Sequence, residues 1–264
     1  MLRQVLIDTL RPFQFRGKGR LLRRLVPREG EYTADVFGYR MRLDVSEFIQ
    51  RQIYLGSFER HETRWVRRWL RPGGTFVDVG ANVGYFTLLA SSLVGPAGRV
   101  RACEPSLYAF ERLEATLRDN AISQARAFHF ALGGEPGTLN LYFTSPTVTN
   151  HTPSMVPQEG ARSVPVRVRP LDECLEEWGL ERVDILKIDV EGFEPQVLAG
   201  ARKALATGRI RAILCELNDH WLRKNGSSAA ELYAWLCGHH YRDVGGNSEP
   251  AKGCMENRFF VRAE

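Results

Sequence analysis

No stretch of the chain approaches the roughly 18 uninterrupted apolar residues that a helical bilayer span requires, so an integral helical membrane protein is not expected. No C-x-x-C pair occurs among the five cysteines, Cys103, Cys174, Cys215, Cys237 and Cys254. Their odd number and wide scatter argue against a disulfide framework or a structural zinc site, and they read as reduced thiols, several of them in the core. Glycine (24) and proline (13) stay near ordinary usage, so collagen-like and low-complexity chains are excluded. The first twelve residues are interrupted by Arg3, Asp8 and Arg11 before an apolar signal-peptide core can form, and a cytoplasmic location is expected.

What remains is an ordinary globular composition: 264 residues, 44% hydrophobic and 25% charged, enough for one good-sized core. The net charge of +5 is unevenly placed. Residues 1–28 hold eight basic side chains against one acid, Asp8, so this arm carries +7 and the remaining 236 residues sum to −2. Basicity confined to one segment does not make a nucleic-acid groove, which needs Lys and Arg spread over a folded face with interleaved aromatics. The arm reads as a solvated segment or as a contact for anionic lipid, a partner or an acidic carrier, which leaves peripheral membrane contact open. Homo-oligomerisation is open too, through Trp65, Trp69 and the arm.

Residues 1–56 divide into the basic arm and a small hairpin and helix segment, and residues 57–264 form the main domain. Tyr32, Ala34 and Val36 alternate with polar neighbours, Phe37-Gly38-Tyr39 turns, and Met41 and Leu43 alternate again, which is a hairpin pattern. Trp65, Val66, Trp69 and Leu70 share one helical face over residues 59–70, and Arg71-Pro72-Gly73-Gly74 stops that helix. Strand-like runs follow at 75–79, 100–103, 127–132, 183–188, 210–217, 241–244 and 258–261. Helical patterns lie between them at 83–93, 109–118, 195–205 and 228–236. Alternating strands and helices, with strands apolar on both faces, argue for an open, mostly parallel, doubly wound α/β sheet. The link between the last two strands shows no helical pattern and predicts one antiparallel strand. An inserted hairpin pairs 138–143 with 163–168 across a polar loop, 144–162, that is long enough to be functional. This loop is expected to help cover the acceptor, with His151 and Ser154 as its most useful polar groups.

The chemistry is concentrated in Phe76-Val77-Asp78-Val79-Gly80-Ala81-Asn82-Val83-Gly84-Tyr85, a strand running into a glycine turn that opens a helix. Glycines at 80 and 84 permit a tight turn and close approach to a ligand, and the adjoining helix N-terminus suits an anionic group. The spacing is Asp-x-Gly-x-x-x-Gly, not the dinucleotide Gly-x-Gly-x-x-Gly. Glu104, at the end of the next strand and 20 residues beyond Gly84, is placed to accept hydrogen bonds from a ribose.

VDVGANVGYFTLL, the acid of CEPS, ALGG at 131–134 and ILKIDVEGFEPQVLAGA at 185–201 together resemble the FkbM family of S-adenosylmethionine-dependent methyltransferases. The resemblance covers roughly residues 55–264, and its most specific part is IDVEG. It implies a class I, Rossmann-like methyltransferase fold: a seven-stranded, mostly parallel sheet with one antiparallel strand. It also implies S-adenosylmethionine as cofactor and O-methylation of a sugar, glycan or polyketide-type hydroxyl. By the same resemblance Asp78, Gly80, Asn82, Gly84 and Tyr85 would surround the methionine part of the cofactor, and Glu104 with Ser106 its ribose. Ala131 and Leu132 would lie near the adenine. Glu59, ahead of the amphipathic helix, fits what such proteins show upstream of the glycine loop.

Methyl transfer to an unactivated hydroxyl requires an aligned oxygen, an excluded solvent and removal of a proton. Candidate groups are Asp189, which is also placed to face the cofactor, and Glu191 after the fourth strand, with Glu216, Asn218, Asp219 and His220 after the fifth. Lys187 points the same way as Asp189 in a strand and could pair with it. Asp189 with Glu216 or Asn218 could hold Mg²⁺, although metal dependence is not expected. His129 and the pair His239-His240 read as packing residues. Competing classes are a nicotinamide dehydrogenase, which lacks its glycine turn here, and a nucleic-acid methyltransferase such as one acting on RNA ribose. A non-catalytic cofactor-binding scaffold in a biosynthetic complex is the third.

Overall fold

The computed structural model describes residues 27–143, 160–246 and 248–263. It opens on a hairpin of β1 (Glu31–Val36) and β2 (Tyr39–Asp44), turning at Phe37 and Gly38, which both take positive φ. The alternation expected from sequence is realised: Ala34, Val36, Met41 and Leu43 are buried. Two helices follow, α1 (Phe48–Tyr54) and α2 (Arg60–Trp69), the latter laying Trp65 and Trp69 against Phe259.

The main body then alternates strand and helix: β3 (Thr75–Val79), α3 (Tyr85–Val94), β4 (Arg99–Cys103), α4 (Leu107–Asp119) and β5 (Ala125–Phe128). A three-stranded side sheet comes next, made of β6 (Ala131–Leu132), β7 (Gly137–Phe143) and β8 (Arg162–Arg169). The chain returns through α5 (Leu171–Glu177), β9 (Ile185–Ile188), α6 (Glu194–Ala199), α7 (Arg202–Ala206) and β10 (Ala212–Asn218). It closes with α8 (Asp219–Lys224), α9 (Ala229–Gly238), β11 (Tyr241–Asp243) and β12 (Met255–Arg262).

The principal sheet has seven strands in the order β11-β12-β10-β9-β3-β4-β5, parallel throughout except β12, which runs against both of its neighbours. This is the class I methyltransferase arrangement that the resemblance implies. Alternate strand residues feed two apolar layers, Phe76, Ile185 and Leu214 on one face and Val77, Leu186 and Ile213 on the other. The hairpin and α1 belong to the first layer, where Met41, Leu43, Ile53 and Tyr54 join Phe76 and Leu88. Among the described residues no helix is long and apolar enough to cross a membrane. All five cysteines are free thiols, three of them buried.

Two expected elements divide. The third strand ends at Phe128, and Ala131 and Leu132 pair instead with β8 in the side sheet. The helix expected over 195–205 is two short helices broken at Gly200, where a Cβ would stand 2.1 Å from the Gly133 carbonyl oxygen.

Candidate active site

From β3 the sheet grows one way through β4 and β5 and the other way through β9 and β10. At such a switch point the connecting loops leave in opposite directions and open a crevice beyond the carboxyl ends of the strands. A cavity of about 630 Å³ lies there, walled by the glycine loop, Glu104–Ser106, Asp189–Glu191 and Glu216, with α1 and the start of α2 on the remaining side.

The glycine loop is shaped by the protein itself. Gly80 has φ 74°, and a Cβ there would stand 1.9 Å from the Asp189 carbonyl oxygen; at Gly84, φ 97°, it would stand 2.5 Å from Leu113 Cδ1. Close packing against the end of β9 and against α4 demands glycine at both positions, and Gly80 also lines the cavity. Asn82 also takes positive φ, 50°, and its Oδ1 accepts the Val83 N–H at 2.7 Å.

Glu104 bridges the glycine loop and the N-cap residue of α4. Glu104 Oε2 accepts the Asn82 N–H at 2.7 Å and its Oε1 accepts the Ser106 N–H at 2.8 Å. Glu104 is 5% exposed, and burial raises its pKa to about 7 against those two bonds.

Beneath the loop lies a charged array. Asp78 is fully buried; its Oδ2 accepts from Thr87 Oγ1 at 2.7 Å, and Lys187 Nζ stands 3.8 Å from its Oδ1. The same Nζ donates to Asp189 Oδ2 at 3.1 Å and lies over the Phe86 ring. Burial opposes the charge on Lys187, but Asp189, Asp78 and Glu59 together outweigh it and raise its pKa. The pairing of Lys187 with Asp189 is thus as the strand spacing implies, while Asp78 supports the cavity from below and does not line it.

Around Asp189 stand three further acids. Glu59, in the left-handed region at φ 38°, precedes α2, and its Oε2 accepts from Asn257 Nδ2 at 3.3 Å. Tyr85 ties this turn down, donating from its hydroxyl to the Phe58 carbonyl at 3.2 Å. Glu191 also has positive φ, 53°. Burial, reinforced by Asp189, raises both Glu59 and Glu191 to about 7. Glu216 is pushed to about 10 by burial and then by Asp189, Glu191 and Glu194. Its Oε2 is buried without a hydrogen-bond partner among the described residues.

Other candidates fall elsewhere. His220 is exposed on α8 against Trp221, and it is Trp221 that reaches the cavity wall. Asn218 is 6% exposed and caps α8, its Oδ1 accepting from the Trp221 N–H at 3.5 Å, while Asp189 and Glu216 both line the cavity. Among the described residues no group of three or more His, Cys, Asp or Glu is placed to hold a metal ion. Ala131 and Leu132 are buried in β6 and do not line the cavity; Leu141 of β7 does. His151 and Ser154 lie outside the described residues. His129 stacks on Phe110 and meets the Pro105 carbonyl at 3.1 Å, a packing role. Glu47, Gln50, Phe58 and Tyr108, which line the cavity, were not expected there. The seven-residue α1 is too short for its periodicity to be read.

A sequence model described as the methyltransferase FkbM domain matches residues 78–242, more than half of the chain. Methyltransferase sdnD of Sordaria araneosa is 32% identical over 161 residues, covering 49% of this chain and 61% of that protein. The 31-O-demethyl-FK506 methyltransferase FkbM of Streptomyces tacrolimicus is 28% identical over 231 residues, 75% of this chain and 83% of that protein. Hexuronic acid methyltransferase AglP of Haloferax volcanii is 30% identical over 128 residues, 48% of this chain and 50% of that protein. The chain thus spans less than two thirds of the length of sdnD and AglP. The crystal structure of Methyltransferase FkbM from Methylobacillus flagellatus KT superposes with a TM-score of 0.48 at 16% identity, covering 86% of this chain and 55% of that one.

Proposed function

The chain belongs to the FkbM methyltransferase family, and from that membership we propose that it moves the methyl group of S-adenosylmethionine to a hydroxyl oxygen of a sugar, glycan or polyketide-type acceptor. The observation that carries this reading is Glu104. Its carboxylate takes the Asn82 and Ser106 N–H groups, the positions a dinucleotide pyrophosphate would need, and its remaining lone pairs face a cavity suited to ribose hydroxyls. Among the described residues six carboxylates and one amine, Lys187, line that cavity, which favours a cationic ligand over a polyphosphate. The similarity to a 31-O-demethyl-FK506 methyltransferase of S. tacrolimicus and a hexuronic acid methyltransferase of H. volcanii supports the acceptor class.

S-adenosylmethionine, when bound, supplies a methyl group already activated as an electrophile on a sulfonium. Glu104 holds the nucleoside, and the Gly80–Val83 turn and Glu59 hold the remainder. Lys187 fixes Asp189 Oδ2, leaving Oδ1 to orient the acceptor hydroxyl. Glu191, raised to about 7, beside Asp189 and not engaged in holding the cofactor, is placed to take a proton at neutral pH. Glu216, raised to about 10, stays protonated and donates a hydrogen bond to the acceptor.

Calorimetric titration with S-adenosylmethionine, S-adenosylhomocysteine and NAD, each with and without Mg²⁺, tests the reading. Micromolar binding of the two sulfur compounds with NAD silent is expected. Glu104→Ala is expected to weaken that binding by about 1.5–3 kcal/mol, roughly 10- to 150-fold. A change under about twofold removes the ribose role, and silence from both sulfur compounds in the unmodified protein overturns the S-adenosylmethionine reading.

A further inference from the structure

The outer face of α2 carries a charge pattern opposite to that of the cavity. Arg60, Arg64, Arg67 and Arg68 are spaced i, i+4, i+7 and i+8, which puts them on one face of the helix. All four are exposed, as is Arg71 just past the helix. Among the described residues none of the five forms an ion pair. The two acids of this stretch are engaged elsewhere: Glu59 and Glu62 both accept from Asn257 Nδ2, at 3.3 and 3.5 Å. Its two tryptophans are laid against Phe259 of β12.

Such a face is unfavourable by itself. Like charges three and four residues apart on a helix repel, and Arg60 stands at the positive end of the helix dipole. Counter-charge from the N-terminal segment is ruled out by its composition, eight basic residues against one acid over 1–28. An external anionic surface laid along the stripe turns the repulsion into attraction. A lipid leaflet and a nucleic acid are both extended enough to do so, and two observations favour the leaflet. No aromatic residue is interleaved among the four arginines to stack on bases. Glu59, the residue before Arg60, lines a cavity with six carboxylates among the described residues, and these repel a phosphate backbone that would have to enter it. A leaflet needs to meet only the outer face. We propose that the Arg60–Arg68 face of α2 docks on an anionic lipid leaflet, its guanidiniums among the phosphate headgroups, so that the cavity wall at Glu59 is held beside the membrane surface. The inference stands independently of the methyl-transfer reading.

Flotation of the full chain with vesicles of phosphatidylcholine alone, or mixed equally with phosphatidylglycerol, tests it at about 0.1 M salt. Each basic residue close to an anionic leaflet contributes about fivefold to partitioning. The unmodified protein is expected to float with the mixed vesicles and not with the neutral ones. Arg60→Gln, Arg64→Gln, Arg67→Gln and Arg68→Gln together are expected to lower partitioning at least about 25-fold, the share of two contacts. The control removes the same charge at exposed positions of α4, β5, α7 and the approach to β10, with Arg118→Gln, Arg126→Gln, Arg202→Gln and Arg211→Gln. It is expected to change partitioning by less than about fivefold. The segment 1–28 is present in every variant, so the comparison isolates α2. The α2 variant is expected to melt no lower than the unmodified protein, because it relieves repulsion; should it fail to fold, Arg64→Gln alone carries the test, with a loss of about three- to fivefold. Absence of binding to the mixed vesicles, or equal losses in the α2 variant and the control, overturns the proposal. A larger α2-dependent loss on a single-stranded RNA oligonucleotide than on vesicles assigns the face to nucleic acid and overturns the lipid assignment.

Discussion

At residue scale the site is a set of close approaches, and Gly80 is the tightest. A methyl group there meets the Asp189 carbonyl oxygen at 1.9 Å while the backbone is held at φ 74°. Gly80→Ala is expected to cost about 3 kcal/mol or more, from overpacking together with a strained φ. Gly38→Ala is the control: φ is 89° but nothing lies within 4 Å, so only the conformational cost of about 1–2 kcal/mol is expected. Urea denaturation midpoints measure both, and equal losses would show that the approach of β9 does not fix position 80. Asp189, Glu104 and Gly80 were legible because each follows a strand in a recognisable pattern, and the Lys187–Asp189 pair follows from two-residue spacing on one strand. The ion pair of Lys187 with Asp78 was not legible. It depends on the register that sets Asp78 beside Lys187 across β3 and β9, which no local pattern records.

At the scale of elements, strands buried on both faces were easiest to read, and β3 and the antiparallel β12 stand where the alternation placed them. The short helices α1, α5 and α8, of six or seven residues, fall below the length over which helical periodicity registers. The glycine between α6 and α7 has a non-local cause, since a Cβ at Gly200 would stand 2.1 Å from the Gly133 carbonyl oxygen. Asp219 is a second non-local tie. Its Oδ1 accepts the Ala229 N–H that opens α9, and its Oδ2 accepts the Gly253 N–H and Arg223 Nε. These bonds, that from Ala229 foremost, hold it at about 2, below its ordinary 3.8. A depressed folded-state pKa stabilises above the unfolded value and loses that contribution as pH falls toward the folded value. Asp219→Ala is expected to cost about 2–4 kcal/mol at neutral pH. Denaturation series for both proteins should converge as pH drops from about 4 toward 2, and a gap independent of pH would contradict the role.

For the whole molecule, net charge misleads. The total of +5 and the basic residues of 1–28 suggest an anion binder, whereas among the described residues the cavity is lined by Glu47, Glu59, Glu104, Asp189, Glu191 and Glu216 against one amine, Lys187. Burial leads in raising Glu47, Glu59, Glu104 and Glu191, each to about 7. A cation entering the cavity favours their ionised forms, so protons compete with it, and its affinity must fall as pH falls through 7. For each such group that has to be ionised, affinity drops about tenfold between pH 8 and pH 6. S-adenosylmethionine carries the sulfonium charge and its demethylated product does not. Titrating both across that range should therefore show a steep loss for the first and a shallower one for the second, with protons released on binding near pH 7. Parallel pH profiles for the two compounds would mean that the carboxylates do not sense the sulfonium.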